Sequence, residues 1–177
     1  VSSVCDKITE ILSYDPLHPI LFSSGLFLFL FAGFAFFYQF MRRAVMLRMI
    51  YVVLFSLYFY YKTSGLFLFL LVGMSVSDYV IGRFLCAARK QSLRKWLVAL
   101  SLTIDIGVLC YFKYTNFFIG LLNDASGRDW LDFQNIFLPV GISFFTFQSI
   151  SYIIDLYKRR IDPADQWIDY LFYLSFF

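Results

Sequence analysis

Charged residues are scarce in this chain. Asp, Glu, Lys and Arg together make up 15% of its 177 residues, whereas about a quarter is usual for a soluble domain. The only histidine, His18, lies between Leu17 and Pro19, without a serine, aspartate or cysteine at the spacing of a catalytic triad or a metal site. We interpret it as a loop or interface histidine. The motifs of hydrolases with a nucleophile elbow, zinc peptidases, P-loop NTPases and dinucleotide-binding domains are absent, so no short motif names a reaction.

Cysteine is equally sparse and consists of Cys5, Cys86 and Cys110. Their wide spacing excludes a disulfide framework and a cysteine-based metal site, and we predict no bound metal. The net charge of +3 is modest and spread over several segments. No basic cluster is interleaved with base-stacking aromatic residues, so we expect no binding to nucleic acid.

Apolar residues dominate the composition. Hydrophobic residues make up 60% of the chain, 24 residues are Phe, and the mean hydropathy is +0.71. As helices, runs of about twenty apolar residues are long enough to cross a hydrocarbon core of about 30 Å. The sequence therefore predicts an all-α, polytopic transmembrane protein that lies in a lipid bilayer, with about five full spans and the start of a sixth.

The apolar runs divide the chain into a leader and a transmembrane domain. Residues 1–19 predict an extracytoplasmic amphipathic helix. Residues 20–177 predict a transmembrane helical domain that stops within an apolar run and is expected to continue beyond the C-terminus. The predicted spans are residues 20–41, 44–61, 66–85, 96–119 and 138–160, with a sixth beginning near Trp167. Residues 120–135 predict a polar loop.

Lys and Arg alternate in abundance from one predicted loop to the next. They cluster at residues 42–48, 83–95 and 158–160, and they are few in the leader, at Lys62 and between residues 113 and 128. Short cytoplasmic loops accumulate basic residues. The pattern therefore predicts an N-terminus outside the cytoplasm, and it supports the span count independently of hydropathy.

The segment Leu138–Arg160, LPVGISFFTFQSISYIIDLYKRR, carries polar residues in helical order. We predict a helix from Pro139, whose missing N–H suits a first turn, to the closing basic residues. One stripe of this helix recurs at three- and four-residue steps: Gly141, Phe145, Gln148, Ser151, Tyr152 and Asp155. Because polar groups facing lipid are costly, the stripe should face other helices or a wet cavity. Two roles of this stripe stay open, contact with other helices and lining of a substrate path. Lys158 or Arg159 could pair with Asp155.

Ionisable residues within the predicted spans require partners, because an unpaired charge in hydrocarbon costs several kcal/mol. Asp78 lies toward the inner end of its span, and we expect it to snorkel to the interface. Asp105 and Lys113 share a span but lie eight residues apart, too far for direct contact on one straight helix, so each must find a partner elsewhere. Two interpretations of these residues stay open: they pair with other groups to stabilise the structure, or they line a path for a polar substrate. The candidates for a substrate tunnel are Gln148, Ser151, Tyr152, Asp155, Asp105 and Lys113.

The seven residues SGLFLFL occur twice, at Ser24–Leu30 and Ser64–Leu70. A parallel two-helix repeat would produce this pattern, and so would chance in a chain rich in Phe and Leu. Little else matches between the two spans, which favours chance.

Three segments together resemble one family: YFKYTNFF (Tyr111–Phe118), LPVGISFFTFQSISYIIDLYKRRI (Leu138–Ile161) and DYLFYLSFF (Asp169–Phe177). They resemble the N-terminal half of the membrane-bound O-acyltransferases. The likeness is strongest to the alginate O-acetylase branch and more distant to the D-alanyl-transfer protein of teichoic acid synthesis. The pattern LPxGISFFTFQ…SYxIDxY is specific to this group, and SDYVIGRFL (Ser77–Leu85) extends the likeness in pattern.

This resemblance implies an O-acyltransferase of the bacterial inner membrane, of the kind used in alginate biosynthesis. Such enzymes transfer an acyl group, commonly acetyl, across the membrane to a hydroxyl of an exported polysaccharide, through a helical ring around a tunnel. They often work with a periplasmic acyltransferase partner. The acyl donor, an acyl-CoA or an acyl carrier, is a substrate, and no bound cofactor is expected. The family's catalytic histidine is expected beyond Phe177, so His18 is not given that role and the chain alone is expected to be inactive.

Two other functions stay open on the residues alone. A transporter or flippase would be favoured by broken helices with paired Gly or Pro interruptions in both halves, and the sequence does not show them. A non-catalytic membrane scaffold would be favoured if the full-length chain ended near residue 177.

Overall fold

The computed structural model describes residues 25–40, 45–126, 132 and 136–176. These residues form helices and contain no strand, so the predicted all-α class is confirmed for the described part of the chain. The predicted leader, residues 1–19, lies outside the described residues.

Seven α-helices follow one another in the described ranges: α1 (Gly25–Phe40), α2 (Val45–Ser64), α3 (Leu68–Ala87), α4 (Gln91–Leu109), α5 (Thr115–Ser126), α6 (Ile142–Tyr157) and α7 (Trp167–Ser175). A 3₁₀ turn, Gly65–Phe67, joins α2 to α3, and a π-helical turn, Cys110–Tyr114, joins α4 to α5. A helix therefore begins at Trp167, where the sequence places the start of the sixth span.

Two continuous helical stretches are long and apolar enough to cross a membrane, namely Val45–Ala87 with 43 residues and Gln91–Ala125 with 35. The first comprises α2 and α3, which are separated at Gly65, whose φ is +60°. Each of these two helices has 20 residues and is about 30 Å long. The described helices are thus consistent with a membrane protein, and the count of about five spans stays a prediction.

The chain divides into two compact units. The first contains the described parts of Val1–Gly73 and Asp165–Phe177, and the second is Met74–Ala164. In the first unit α1 and α2 form an antiparallel pair through aromatic rings. Phe34 stacks on Tyr51 and Phe55, with ring centroids 5.0 and 4.2 Å apart. Helix α7 packs against α2 and buries one face, formed by Tyr170, Leu171, Leu174 and Ser175.

The helix that follows the π-helical turn is longer than predicted. Helix α5 continues to Ser126, so Asn123 and Asp124 are helical although they fall in the predicted loop. The polarity of these residues suited a loop, but neither Gly nor Pro interrupts residues 121–126. The prediction of a loop over residues 120–126 is therefore wrong.

Helix α6 begins three residues later than the predicted start at Pro139. Gly141 has a left-handed backbone, with φ of +77°, and the Ile142 N–H donates to the Pro139 carbonyl at 3.3 Å. Residues 139–141 therefore form a turn that glycine makes accessible. As a result α6 has 16 residues, about 24 Å of helix, instead of the predicted length of a full span.

The same helix ends in a Schellman motif. The Arg160 N–H donates to the Asp155 carbonyl at 3.0 Å, and the Arg159 N–H donates to the Leu156 carbonyl at 3.1 Å. Arg159 occupies the left-handed position of this motif, with φ of 56°. The side chains of Arg160 and Asp155 add an ion pair at 3.6 Å, at the place where a hydrophobic contact is usual.

The repeated sequence SGLFLFL has two different local structures. Gly25–Leu30 are helical within α1, whereas Gly65–Phe67 form the 3₁₀ turn. The Gly-Leu-Phe part of the repeat therefore differs in conformation between the two places, whereas Leu28–Leu30 and Leu68–Leu70 are both α-helical.

Candidate functional site

Three helices of the second unit meet around a polar centre. Helices α3 and α4 are antiparallel, since Ser101 contacts Asp78 and Arg94 contacts the Leu85 carbonyl. Helix α6 lies parallel to α3 and antiparallel to α4. A methyl group added at Gly82 of α3 would lie 2.9 Å from Leu156 Cδ1 of α6, so the two helices approach closely at this glycine.

We call the four residues Asp78, Ser101, Asp105 and Ser149 the carboxyl cluster. The Ser101 hydroxyl donates to Asp78 Oδ1 at 2.7 Å. The Ser149 hydroxyl contacts Asp78 Oδ2 and also lies 3.1 Å from Asp105 Oδ2. All four residues have an exposed fraction of 0%. One hydroxyl from α6 therefore bridges a carboxyl group of α3 and a carboxyl group of α4.

Helical spacing explains how the cluster forms. Ser101 and Asp105 lie four residues apart and therefore on one face of α4. On α6, Thr146 and Ser149 lie three residues apart on its buried face. A polar group buried in an apolar bundle is costly unless it finds a partner, so the cluster favours one register of the three helices. Because it is closed to solvent, it can position helices, and it cannot contact a substrate without rearrangement.

The structure corrects the prediction for Asp78. This residue is fully buried and hydrogen-bonded to Ser101 and Ser149, so it does not snorkel to an interface. Its position toward the inner end of the predicted span, residues 66–85, suggested an exposed carboxylate, whereas it lies near the middle of α3. The sequence did not reveal that two hydroxyl groups, 23 and 71 residues later, reach it.

Asp105 and Lys113 find their partners on α6, as the sequence required. Asp105 contacts Ser149 inside the cluster. The Lys113 ammonium donates to the Ser143 hydroxyl at 3.3 Å and lies 5.5 Å from the centre of the Tyr114 ring. Lys113 is exposed, whereas Asp105 is not, so only the lysine is accessible from outside the bundle.

The remaining tunnel candidates lie on two faces of α6. Tyr152 is buried, and its hydroxyl accepts the Ala164 N–H at 3.0 Å. Gln148 is half-buried and Ser151 is exposed. Asp155 pairs with Arg160 at 3.6 Å, and not with the predicted Lys158 or Arg159. The six tunnel candidates are thus not brought together at one site.

The buried face of α6 also differs from the predicted stripe. It is formed by Ile142, Phe145, Thr146, Ser149, Tyr152, Ile153 and Leu156. Its polar members include Thr146 and Ser149, neither of which belongs to the predicted stripe. In so apolar a helix several stripes satisfy the helical period. Phe145 and Tyr152 of the predicted stripe belong to the buried face, and a substrate-lining role for its other members stays a prediction.

Arg94 is a second buried polar feature that the sequence did not single out. It has an exposed fraction of 3%. Its guanidinium donates to the Leu85 carbonyl at 2.7 Å, to the Tyr157 carbonyl at 2.8 Å and to the Leu156 carbonyl at 3.3 Å. It therefore binds carbonyls at the C-terminal ends of α3 and α6, where a positive charge also stabilises the helix dipoles.

Within the ranges that the structure describes, no group of three or more His, Cys, Asp or Glu residues is placed to hold a metal ion.

The described residues define an all-α protein with apolar helices suited to a membrane and a polar centre among three of them. Over 163 residues, 89% of this chain, the sequence is 36% identical to the probable alginate O-acetylase AlgI of Pseudomonas aeruginosa and to that of Azotobacter vinelandii. It is 30% identical over 157 residues to the peptidoglycan O-acetyltransferase of Helicobacter pylori. The resemblance to the alginate O-acetylase branch, predicted from the sequence, is confirmed.

The chain spans about a third of the length of these relatives, since the matched part is 31% of the Pseudomonas aeruginosa protein and 30% of the Helicobacter pylori protein. No family model and no solved structure matches the chain.

Proposed function

We propose that this chain is part of a membrane O-acetyltransferase that transfers an acetyl group across the bacterial inner membrane to hydroxyl groups of an exported polysaccharide. The observation that carries the proposal is the similarity, over 89% of the chain, to proteins named alginate O-acetylases. The similar peptidoglycan O-acetyltransferase supports the same class of reaction on a different polymer. Both names describe O-acetylation, which forms an acetyl ester on a hydroxyl group.

In this proposal the carboxyl cluster holds α3, α4 and α6 together. The face of α6 that carries Gln148 and Ser151 lines the tunnel. Ser151 is exposed and Gln148 is half-buried, so spans of the whole protein that pack on this face would enclose them with the substrate. Asp105 and Tyr152 are buried in the bundle and would act as positioning residues. The general base for the acceptor hydroxyl would be the histidine that the resemblance implies in a later span.

The proposed enzyme is a multi-pass protein with its N-terminus outside the cytoplasm. About five complete spans and the start of a sixth would belong to this chain. The acyl donor, an acyl-CoA or an acyl carrier, would be used as a substrate from the cytoplasmic side, and a periplasmic acyltransferase would complete the transfer.

The test is acetyl-ester formation by the full-length protein. The full reading frame is expressed in a polysaccharide-producing bacterium that lacks its own O-acetylase, and base-labile acetate on the exported polymer is measured. We expect acetate above the empty-vector level, and its loss when the later-span histidine is replaced by alanine at unchanged protein level. If no such histidine follows, or if its removal changes nothing, the acetyltransferase proposal fails.

The same assay separates the alternatives and tests the tunnel wall. A flippase would change the amount of exported polymer without adding esters, and a scaffold would change neither by itself. We expect Gln148→Ala and Ser151→Ala to lower ester formation at unchanged protein level, whereas Phe84→Leu, at an exposed position of α3 away from this face, should leave it unchanged. Equal activity of all three variants would remove this face from the tunnel.

A further inference from the structure

The first unit contains an aromatic cavity of about 850 Å³, within the usual range of ligand cavities. Helices α1, α2 and α7 line it, mainly with aromatic and aliphatic side chains. Four of these are phenylalanines: Phe31, Phe34, Phe172 and Phe176. The lining also contains one cation, Arg48, and one anion, Asp169. The function proposed above uses none of these residues.

The polar and apolar parts of the cavity lie at different levels. Tyr38 is near the end of α1, Arg48 is in the first turn of α2, and Asp169 is in the first turn of α7. Phe34 and Phe31 lie about one and two turns before Tyr38, and Phe172 and Phe176 lie about one and two turns after Asp169. Because the predicted topology begins both α2 and α7 on the cytoplasmic side of the membrane, we expect these charges at one end of the cavity, which continues between aromatic rings.

Trp167 indicates where the charged end lies in a bilayer. This residue begins α7, two positions before Asp169, and is 36% exposed. Tryptophan concentrates at the boundary between hydrocarbon and headgroups. The charged end of the cavity is therefore placed at headgroup level, and the phenylalanines extend from it into the hydrocarbon.

The two charges do not neutralise each other. Arg48 donates a hydrogen bond to the Tyr38 hydroxyl, and its guanidinium lies 4.3 Å from the centre of the Tyr38 ring. This bond uses one of its five N–H donors. Asp169, the N3 residue of a capping box whose N-cap is Gln166, accepts the Gln166 N–H at 3.0 Å, which leaves lone pairs of the carboxylate available. Among the described residues the ion pair is Arg160 with Asp155, so both charges of the cavity can serve a ligand.

We propose that this cavity binds an aminophospholipid of the surrounding bilayer. Its phosphate binds Arg48, its primary ammonium binds Asp169, and an acyl chain packs along the four phenylalanines. The opposite charges match a zwitterionic headgroup. An anionic phospholipid would leave Asp169 unpaired, and a quaternary ammonium offers that carboxylate no N–H donor.

The test uses the full-length protein, purified in a mild detergent and exposed to equal amounts of phosphatidylethanolamine, phosphatidylcholine and phosphatidylglycerol with identical acyl chains. Retained lipid is counted by native mass spectrometry. We expect the wild-type protein to retain phosphatidylethanolamine roughly tenfold over phosphatidylcholine, because the primary ammonium adds a charge-assisted hydrogen bond. This comparison needs no variant and is independent of whether any substitution folds.

Variants then assign the two charges. Asp169→Asn keeps an acceptor for the helix cap, and it should reduce retention of phosphatidylethanolamine to the level of phosphatidylcholine. Arg48→Gln should reduce retention of all three lipids, and Arg48→Lys should restore part of it. Lys95→Gln and Asp162→Asn change exposed charges that do not line the cavity, and they should match the wild type.

Three results would overturn the proposal. The first is equal retention of the three lipids by the wild-type protein. The second is a preference for phosphatidylglycerol that Asp169→Asn leaves unchanged. The third is loss of retention on replacing Arg42 and Arg43, whose structure is not described, together with normal retention in Arg48→Gln.

Discussion

Ser149 and Ser151 lie two positions apart on α6, yet only Ser149 is buried. Ser149 bridges Asp78 and Asp105, so Ser149→Ala would leave two buried carboxyl groups without their shared donor. We expect the free energy of unfolding to fall by about 1–3 kcal/mol. Chemical unfolding of the full-length protein in detergent, followed by circular dichroism, measures the change.

Ser151→Ala is the matched control for this substitution. It makes the same chemical change on the same helix at an exposed position, and it should alter stability by about 0.5 kcal/mol or less. Equal effects of the two variants would show that the Ser149 bridge does not stabilise the bundle.

The carboxyl cluster also shows what the sequence could predict at this scale. The need of Asp105 and Lys113 for partners follows from the cost of a charge in hydrocarbon, and both partners are present on α6. The identity of those partners does not follow, because Ser143 and Ser149 are small hydroxyl residues that occur as readily on exposed faces. For Asp78 the sequence predicted that the carboxylate reaches a nearby membrane interface. In the structure this carboxylate is instead buried where three helices pack together.

At the scale of the helices, Arg94 connects two C-terminal ends. It donates to carbonyls of α3 and α6, and Arg94→Gln would remove the charge and several of these bonds. We expect the free energy of unfolding to fall by about 2–4 kcal/mol. Lys95→Gln, one residue away and exposed, should change it by about 0.5 kcal/mol or less. The same unfolding measurement compares them, and similar losses would contradict the capping role.

Gly82 and Gly73 test how closely α3 approaches α6. A methyl group at Gly82 would lie 2.9 Å from Leu156 Cδ1, whereas one at Gly73 would meet nothing within 4 Å. Leu156 is itself buried, so it has little room to move. We expect Gly82→Ala to lower the unfolding free energy by about 1 kcal/mol or more, and Gly73→Ala to raise it by about 0.5–1 kcal/mol through helix propensity.

Melting temperatures of the two variants in the same detergent rank their effects. A higher melting temperature for Gly82→Ala than for Gly73→Ala would contradict the close contact between the two helices.

Helix existence followed from the sequence more closely than helix limits did. Apolar length predicted α2, α3 and α4, and Trp167 was correctly placed at the start of α7. The start of α6 depended on the left-handed backbone of Gly141, which no periodicity reveals. Helix α5 continues through Asn123 and Asp124 because neither Gly nor Pro interrupts it there. The polarity of these two residues led us to predict a loop.

At the scale of the whole molecule, the distribution of Lys and Arg predicts which loops face the cytoplasm. Lys90 lies in the turn between α3 and α4, Asp124 lies near the end of α5, and both are exposed. In full-length protein whose native cysteines are serines, we expect Asp124→Cys to react with a membrane-impermeant maleimide in spheroplasts. Lys90→Cys should react only after the membrane is permeabilised.

A Ser126→Cys variant, close to Asp124 in sequence, provides a second reporter for the outer side. Reaction of Lys90→Cys in intact spheroplasts, with Asp124→Cys protected, would reverse the predicted orientation.

The carboxyl cluster finally bears on the timing of biosynthesis. Asp78 belongs to α3, but its partners Ser101 and Ser149 leave the ribosome 23 and 71 residues later. An isolated aspartate near the centre of a helix raises the cost of insertion by about 2.5–3.5 kcal/mol. We therefore expect insertion of α3 to begin before Ser101 and Ser149 can reach its carboxyl group, and a nascent chain to be most vulnerable to membrane quality control until α6 has been synthesised.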